Sequence, residues 1–170
     1  MRWMSTLVAA SLASVVACGG NPAGPSGSGT LNLRITDSPF TEAQAVLVTF
    51  SEVTAHRSGE GEAEGNWSTL PFAGGATSRT CDLKKLENGA EDVLGVGSLP
   101  AAHYTMLRLV VSTATIYFDN PTTGPACATA VTEPAGAKAV LTIPSGEVKL
   151  NRQFTVPEAG AATMLIDFDG

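Results

Sequence analysis

From Thr30 onward the chain alternates apolar and polar residues with a period of two, and this pattern is what most limits the folds open to it. Leu31, Leu33 and Ile35 interleave with Asn32, Arg34 and Thr36. Successive side chains of a strand point to opposite faces, so this spacing buries one face of a β-strand and wets the other. Asp37-Ser38-Pro39 ends the strand, because Asp caps turns and Pro cannot extend a ladder. A second strand is predicted over Ala45 to His56, where Val46, Val48 and Phe50 share a face. Its phase shifts at Glu52-Val53, which predicts a bulge. Ser58 to Gly65 reads as a loop and Asn66 to Phe72 as a strand carrying Trp67 and Leu70. Arg79 to Leu86 is a short strand or turn around Cys81, and Glu91 to Val96 is a strand or helical turn.

The strongest element is Tyr104 to Phe118, YTMLRLVVSTATIYF. It is rich in β-branched and aromatic residues and long enough to bend and serve two sheets. Ala139 to Ile143, Val148 to Leu150, Gln153 to Val156 and Ala162 to Phe168 complete the set. Many short strands between Gly- and Pro-containing turns predict an all-β fold, an antiparallel β-sandwich or a barrel. No stretch has a 3.6-residue period long enough for a helix beyond about two turns, and there is no internal repeat.

The segment before Thr30 is of another kind. Met1-Arg2 precedes WMSTLVAASLASVVA, 15 residues without a charge. That is short of the roughly 20 needed to cross a bilayer as a helix, but it has the proportions of a signal-peptide core. It runs into Val15-Val16-Ala17-Cys18, which resembles the lipobox of bacterial lipoproteins. The resemblance implies acylation of the Cys18 thiol and cleavage just before it. Ordinary signal cleavage at the same bond is the alternative. Residues 19–29, GGNPAGPSGSG, contain five Gly, two Pro and two Ser. They suit a flexible tether spanning roughly 18 Å. The expected organisation is therefore a signal peptide over 1–17, a lipidated Cys and tether over 18–29, and a folded domain over 30–170. By family analogy, the absence of Asp after Cys18 favours the outer membrane where the host has two.

Removal of residues 1–17 takes away Arg2 and no acid, so the net charge of −6 becomes 9 − 16 = −7. Without a Lys/Arg cluster the chain has no electrostatic footprint for nucleic acid and no basic patch for anionic lipid. With Cys18 assigned to lipid, Cys81 and Cys127 remain as an even pair in an oxidising compartment. A Cys81–Cys127 disulfide is expected from that context, two separate thiols being the alternative. Neither has a second Cys or a His at metal-ligand spacing.

Further pieces lie in a recognisable order. They are Thr36-Asp37-Ser38-Pro39, Val46-Leu47-Val48-Thr49, Val53-Thr54-Ala55-His56, Leu99-Pro100-Ala101-Ala102-His103-Tyr104, Arg108-Leu109-Val110-Val111, Ile143 to Leu150, Phe154-Thr155-Val156-Pro157 and Leu165 to Asp169. As a set, spanning residues 30–169, they resemble an envelope lipoprotein domain of bacteria and archaea, the domain-of-unknown-function family 4382. The resemblance implies a β-sandwich-like domain and no particular activity. Members continue past the last Asp-Phe-Asp with a further strand, whereas this chain stops at Gly170. The sandwich is thus expected to lack its last strand, either because the polypeptide is cut short or because that strand is dispensable. The Leu99–Tyr104 piece also resembles a turn of transthyretin-like sandwiches, so both immunoglobulin-like and transthyretin-like variants stay open.

The chemistry-bearing residues are few. Asp37, Asp119, Asp167 and Asp169 stand at strand ends, with Asp167 and Asp169 on one face of a strand. Such acids could hold Ca²⁺, which takes six to eight oxygens, or serve an Asp-based hydrolase. The competing role is turn capping by solvated acids, and the chain has no D-x-D-x-D-G loop. Glu60, Glu62 and Glu64 read as a solvated hairpin tip. His56 and His103 lack partners at ligand spacing. There is no G-x-S-x-G, S-x-x-K or H-E-x-x-H, and Gly95-Val96-Gly97-Ser98 lacks the third Gly of a dinucleotide fingerprint. Trp67 is the one candidate for stacking on a sugar, capping the core being the alternative. The leading expectation is a non-enzymatic, lipid-anchored envelope module without a cofactor that binds or scaffolds an envelope protein or polysaccharide. The alternatives are an Asp-based hydrolase, a Ca²⁺-binding adhesion-type module, or an accessory domain that needs a partner chain.

Overall fold

The computed structural model describes residues 27–37, 42–59, 61, 63 and 66–168. Among them are eleven strands in two sheets packed face to face, the all-β sandwich expected. The smaller sheet has the order β11-β1-β5, from Ala161–Phe168, Ser28–Asp37 and Asp92–Pro100. β1 opens two residues inside the stretch read as tether. β5 pairs antiparallel to β1, but β11 runs parallel to it, with Thr30 opposite Ala161 and Asp37 opposite Phe168. The pairing is otherwise antiparallel, as expected, and β1 with β11 is the one parallel pair among the described strands. After β10 (Phe154–Val156) in the other sheet, the turn at 157–160 carries the chain across the end of the sandwich. β11 therefore enters its sheet in the direction of β1.

The larger sheet is centred on β2 (Ala45–Arg57) and β6 (Ala102–Tyr117). The free side of β2 takes two partners in succession, β4 (Arg79–Asp82) near its start and β3 (Trp67–Thr69) near its end, with β7 (Cys127–Ala128) beyond β4. The far side of β6 is lined in turn by β10, β9 (Glu147–Leu150) and β8 (Lys138–Val140). The long β6 thus stays in one sheet rather than serving two. Its length is used to recruit several short partners. The segments read as strands at 66–72 and 139–143 are shorter here, and 79–86, read as a short strand or turn, is a strand over Arg79–Asp82 followed by a 3-10 helix over Leu83–Leu86.

The core lies between the sheets. β1 contributes Leu31, Leu33 and Ile35, each fully buried. β2 answers with Val46, Val48, Phe50, Val53 and Ala55, and β6 with Tyr104, Leu107, Leu109, Val111 and Ala114. At roughly 1.5–3 kcal/mol per buried aliphatic or aromatic side chain, these three strands supply most of the driving force. The inward set of β2 skips from Phe50 to Val53, and that of β6 from Val111 to Ala114. The cause is a paired irregularity in which Ser51 and Ser112 drop out of the register. It lies just before the position predicted for the bulge. Each serine hydroxyl donates to a carbonyl of the facing strand, Ser51 to Val110 and Ser112 to Thr49. Tyr104 closes one end. Its hydroxyl donates to the Pro100 carbonyl at 2.8 Å, and its ring stacks on Phe154 with centroids 5.0 Å apart.

Candidate functional site

The paired bulge divides the outer face of the larger sheet into two patches. Before it, Leu47 and Thr49 of β2 and Thr113, Thr115 and Tyr117 of β6 point outward. After it, the outward residues are Glu52, Thr54 and His56, facing Arg108.

In the first patch, Thr80, Thr49 and Thr113 stand side by side on three neighbouring strands. The Thr49 and Thr80 hydroxyls are 2.9 Å apart. The loop after β7 arches over this row, and Val131 packs on Ala45, Leu47 and Tyr117. A groove of about 230 Å³ remains, bounded by the threonines, Tyr117 and Glu133. Burial and a hydrogen bond to Glu133 push the Tyr117 phenol up to about 12. Glu133 is held below its ordinary range, first by Lys138 and then by the Tyr117 hydroxyl. The Lys138 Nζ sits 2.7 Å from Glu133 and 5.6 Å from the Tyr117 ring centroid. The groove thus offers hydroxyl groups that both donate and accept, beside one carboxylate whose charge is already paired.

In the second patch the half-buried Trp67 ring is the centre. The Arg108 guanidinium lies 4.6 Å from its centroid, the His56 ring 5.0 Å and the Lys149 Nζ 5.9 Å. Arg108 is itself buried. It donates to the Thr54 hydroxyl at 3.1 Å and approaches Glu52 at 3.7 Å and Glu147 at 3.8 Å. Cation–π contacts of this kind contribute about 0.5–2 kcal/mol each. The candidate stacking ring is therefore built into a polar network. His56 Nε2 is 3.0 Å from the Gly61 carbonyl, and the His103 Nδ1 faces the Thr155 hydroxyl at 3.1 Å across β6 and β10.

Of the acids proposed as metal ligands, the described ones, Asp37, Asp119 and Asp167, are not brought together. Asp37 is buried at the end of β1. Asp167 is exposed on β11, opposite Thr36. Asp119 is exposed beyond β6, where its Oδ2 accepts the Ala137 N–H at 2.6 Å, a turn-capping role. Asp169, Cys18, Glu60, Glu62 and Glu64 lie outside the described residues. Among the described residues no three His, Cys, Asp or Glu side chains gather as a cation site, and no helix is long and apolar enough to cross a membrane.

Two acids that the sequence reading passed over are engaged more deeply. Asp82 is fully buried and accepts from the Val46 N–H at 3.0 Å, the Lys84 N–H at 3.2 Å and the Thr122 hydroxyl. Asp92 accepts from its neighbour's N–H, from Arg79, and from the Cys127 N–H at 3.0 Å. The signal available was Asp82 two residues before Lys84 at the start of a helical turn, an N-cap position. Nothing local announced Asp92, whose side-chain and cross-strand partners Arg79 and Cys127 come from distant segments. Cys81 and Cys127 face each other on β4 and β7 and form the expected disulfide.

A family model described as "Domain of unknown function (DUF4382)" matches residues 28–170. No curated protein and no solved structure matches the chain.

Proposed function

The chain belongs to the DUF4382 domain family, and from that membership we propose a lipid-anchored envelope protein whose sandwich binds or scaffolds an envelope component. The observation that carries the reading is the run from Val15-Val16-Ala17-Cys18 through an 11-residue Gly/Pro/Ser segment into a β-sandwich. In this reading residues 1–17 are a signal peptide, Cys18 bears the lipid, and the protein is exported, to the outer membrane where the host is Gram-negative. The domain works without catalysis. The buried Asp82, the part-buried Asp92 and the histidine His56 serve backbone and side-chain partners within the fold.

The threonine groove supports the outer face of the larger sheet as the contact surface for a protein or a polysaccharide. It presents several hydroxyls together, and pockets with a few convergent polar groups on a rigid frame are the usual form of a binding site. The test has two readouts from cells expressing the full chain. Mass spectrometry of the mature N-terminus is expected to find an acylated Cys18, and unmodified Cys18 in membrane-free protein would overturn the anchor. Cross-linking from an amino acid placed at Thr113 is expected to capture an envelope component that the Thr113→Lys chain no longer retains. Equal retention by both would remove the groove from the function.

A further inference from the structure

The strand that leaves toward the tether is also the most thoroughly clamped strand of the smaller sheet. β1 is central in that sheet. Eight of its residues, Thr30 to Asp37, pair with β11, and a second set from Ser28 to Ile35 pairs with β5. Its inward side chains, Leu31, Leu33 and Ile35, are fully buried. Two of its outward ones are held sideways, Arg34 by Glu91 and the Thr36 hydroxyl by the carbonyls of Leu86 and Ala90. The entry point is tied on both flanks. The Gly27 carbonyl accepts from the Ala101 N–H and the Ser28 carbonyl from the Ala159 N–H, both at 2.8 Å.

Direction matters as much as number. β1 and β11 both start at the tether end and finish at the far end, at Asp37 and Phe168. Ladder hydrogen bonds run across the strands. A pull on residue 27, away from the far end, acts along the axis of β1 and loads both ladders in shear, so many bonds must yield together. A pull across the strand would instead open them one pair at a time. The buried leucines and Ile35 must leave the core in the same step. The disulfide lies in the other sheet, outside this path.

We propose that the sandwich is a load-bearing module, in which tension between the N-terminal tether and the far end of the domain is held in shear by the two ladders of β1. The inference rests on the reading of residues 18–29 as a membrane tether. It adds a mechanical role to the scaffold function, for a partner that is displaced relative to the membrane.

Single-molecule pulling tests it on the full chain. One arm carries a handle at each terminus, so that force runs along β1. The other keeps the N-terminal handle and places the second at Ser98, an exposed residue of β5 opposite Thr30, through an azide-bearing amino acid. Forced unfolding reports the barrier to opening rather than equilibrium stability. The expected result is one cooperative rupture along β1 at a several-fold higher force than in the Ser98 geometry. Equal forces in the two geometries would overturn the proposal. The Cys81→Ala/Cys127→Ala chain, pulled from its termini, is expected to keep the high first rupture. A fall to the Ser98 value would place the resistance in the larger sheet and also overturn it. Low force with an acylated Cys18 removes the clamp alone, and an unmodified Cys18 removes the tether alone.

Discussion

β1 and β7 hold their places by opposite means. β1 spans ten residues, pairs along nearly its whole length on both sides, and seats three fully buried side chains in the core. β7 spans two residues and shares a ladder with β4, through Thr80 opposite Ala128 and Cys81 opposite Cys127. Two ladder positions cannot offset the ordering of the excursion from 118 to 137, at about 1–2 kcal/mol per residue. Two backbone bonds, Asp82 N–H to the Ala126 carbonyl and Phe118 N–H to that of Ala137, add to them, and side chains do much of the rest. The disulfide joins β7 to β4, Asp92 takes the Cys127 N–H, Arg79 reaches the Cys127 carbonyl, and Asp82 takes the Thr122 hydroxyl. A long strand is held by repetition, a short one by a few strong and specific bonds. The second kind is more easily lost to a single substitution.

The largest effect should come from the covalent staple. Replacing Cys81 and Cys127 by Ala opens a loop with a sequence separation of 46, and chemical denaturation should show a loss of about 4 kcal/mol. Amide exchange should quicken around residues 126–129 while β1 still exchanges only through global opening. Similar quickening in β1 would break the contrast between the two strands. Asp82→Ala comes next. It strands the N–H groups of Val46 and Lys84 and the Thr122 hydroxyl, so a loss of about 3 kcal/mol is expected from the orphaned donors. A melting curve within error of the parent would show that the disulfide holds β7 unaided.

Gly29→Ala probes the entry of β1. A Cβ there would collide with the Pro157 carbonyl oxygen and crowd the Gly160 carbonyl. Backbone cannot yield as a side-chain tip can, and a loss of about 2 kcal/mol is expected. Gly61→Ala, where a Cβ meets open space, should stay within about 0.5 kcal/mol. Equal costs at the two sites would undo the claim that β1 is pinned where it enters. The last effect is confined to high pH. Folding holds the Tyr117 phenol in its protonated form up to about 12, against an ordinary 10.0. The unfolded chain releases that proton first, so stability is unaffected below pH 10 and falls as pH rises from there toward 12. Denaturation midpoints across that window should flatten in Tyr117→Phe, and an unchanged slope would assign the alkaline loss to other groups.

The fold class was legible because strand periodicity is a local property. Leu31, Leu33 and Ile35 went to the core as their spacing required, and the bulge fell within two residues of its expected place. The short strands β8 and β3 were overdrawn, because their ends are set by where β6 and β2 offer unpaired groups. The parallel pairing of β11 left no local mark. It follows from the crossing at 157–160, which reverses which end of the sheet the chain enters. The site was less legible. Trp67 was singled out as a ring, yet its neighbours Arg108, Lys149 and His56 come from three other stretches of chain. The threonines of the groove, at 49, 80 and 113, were separately unremarkable and gain meaning from lying in one row.

What the order of residues settled alone was every property that neighbours within about ten positions can enforce: alternation, turns and the half-apolar strands. Which strand lies beside which was settled by closing the core, since only packing brings residues 81 and 127, or 30 and 161, to adjacent strands. The burial of Asp82 and the hydrogen-bond partners of Asp92 belong to that second class. An acid is read as solvated until the segments that surround it are in place, and those segments meet only in the folded chain.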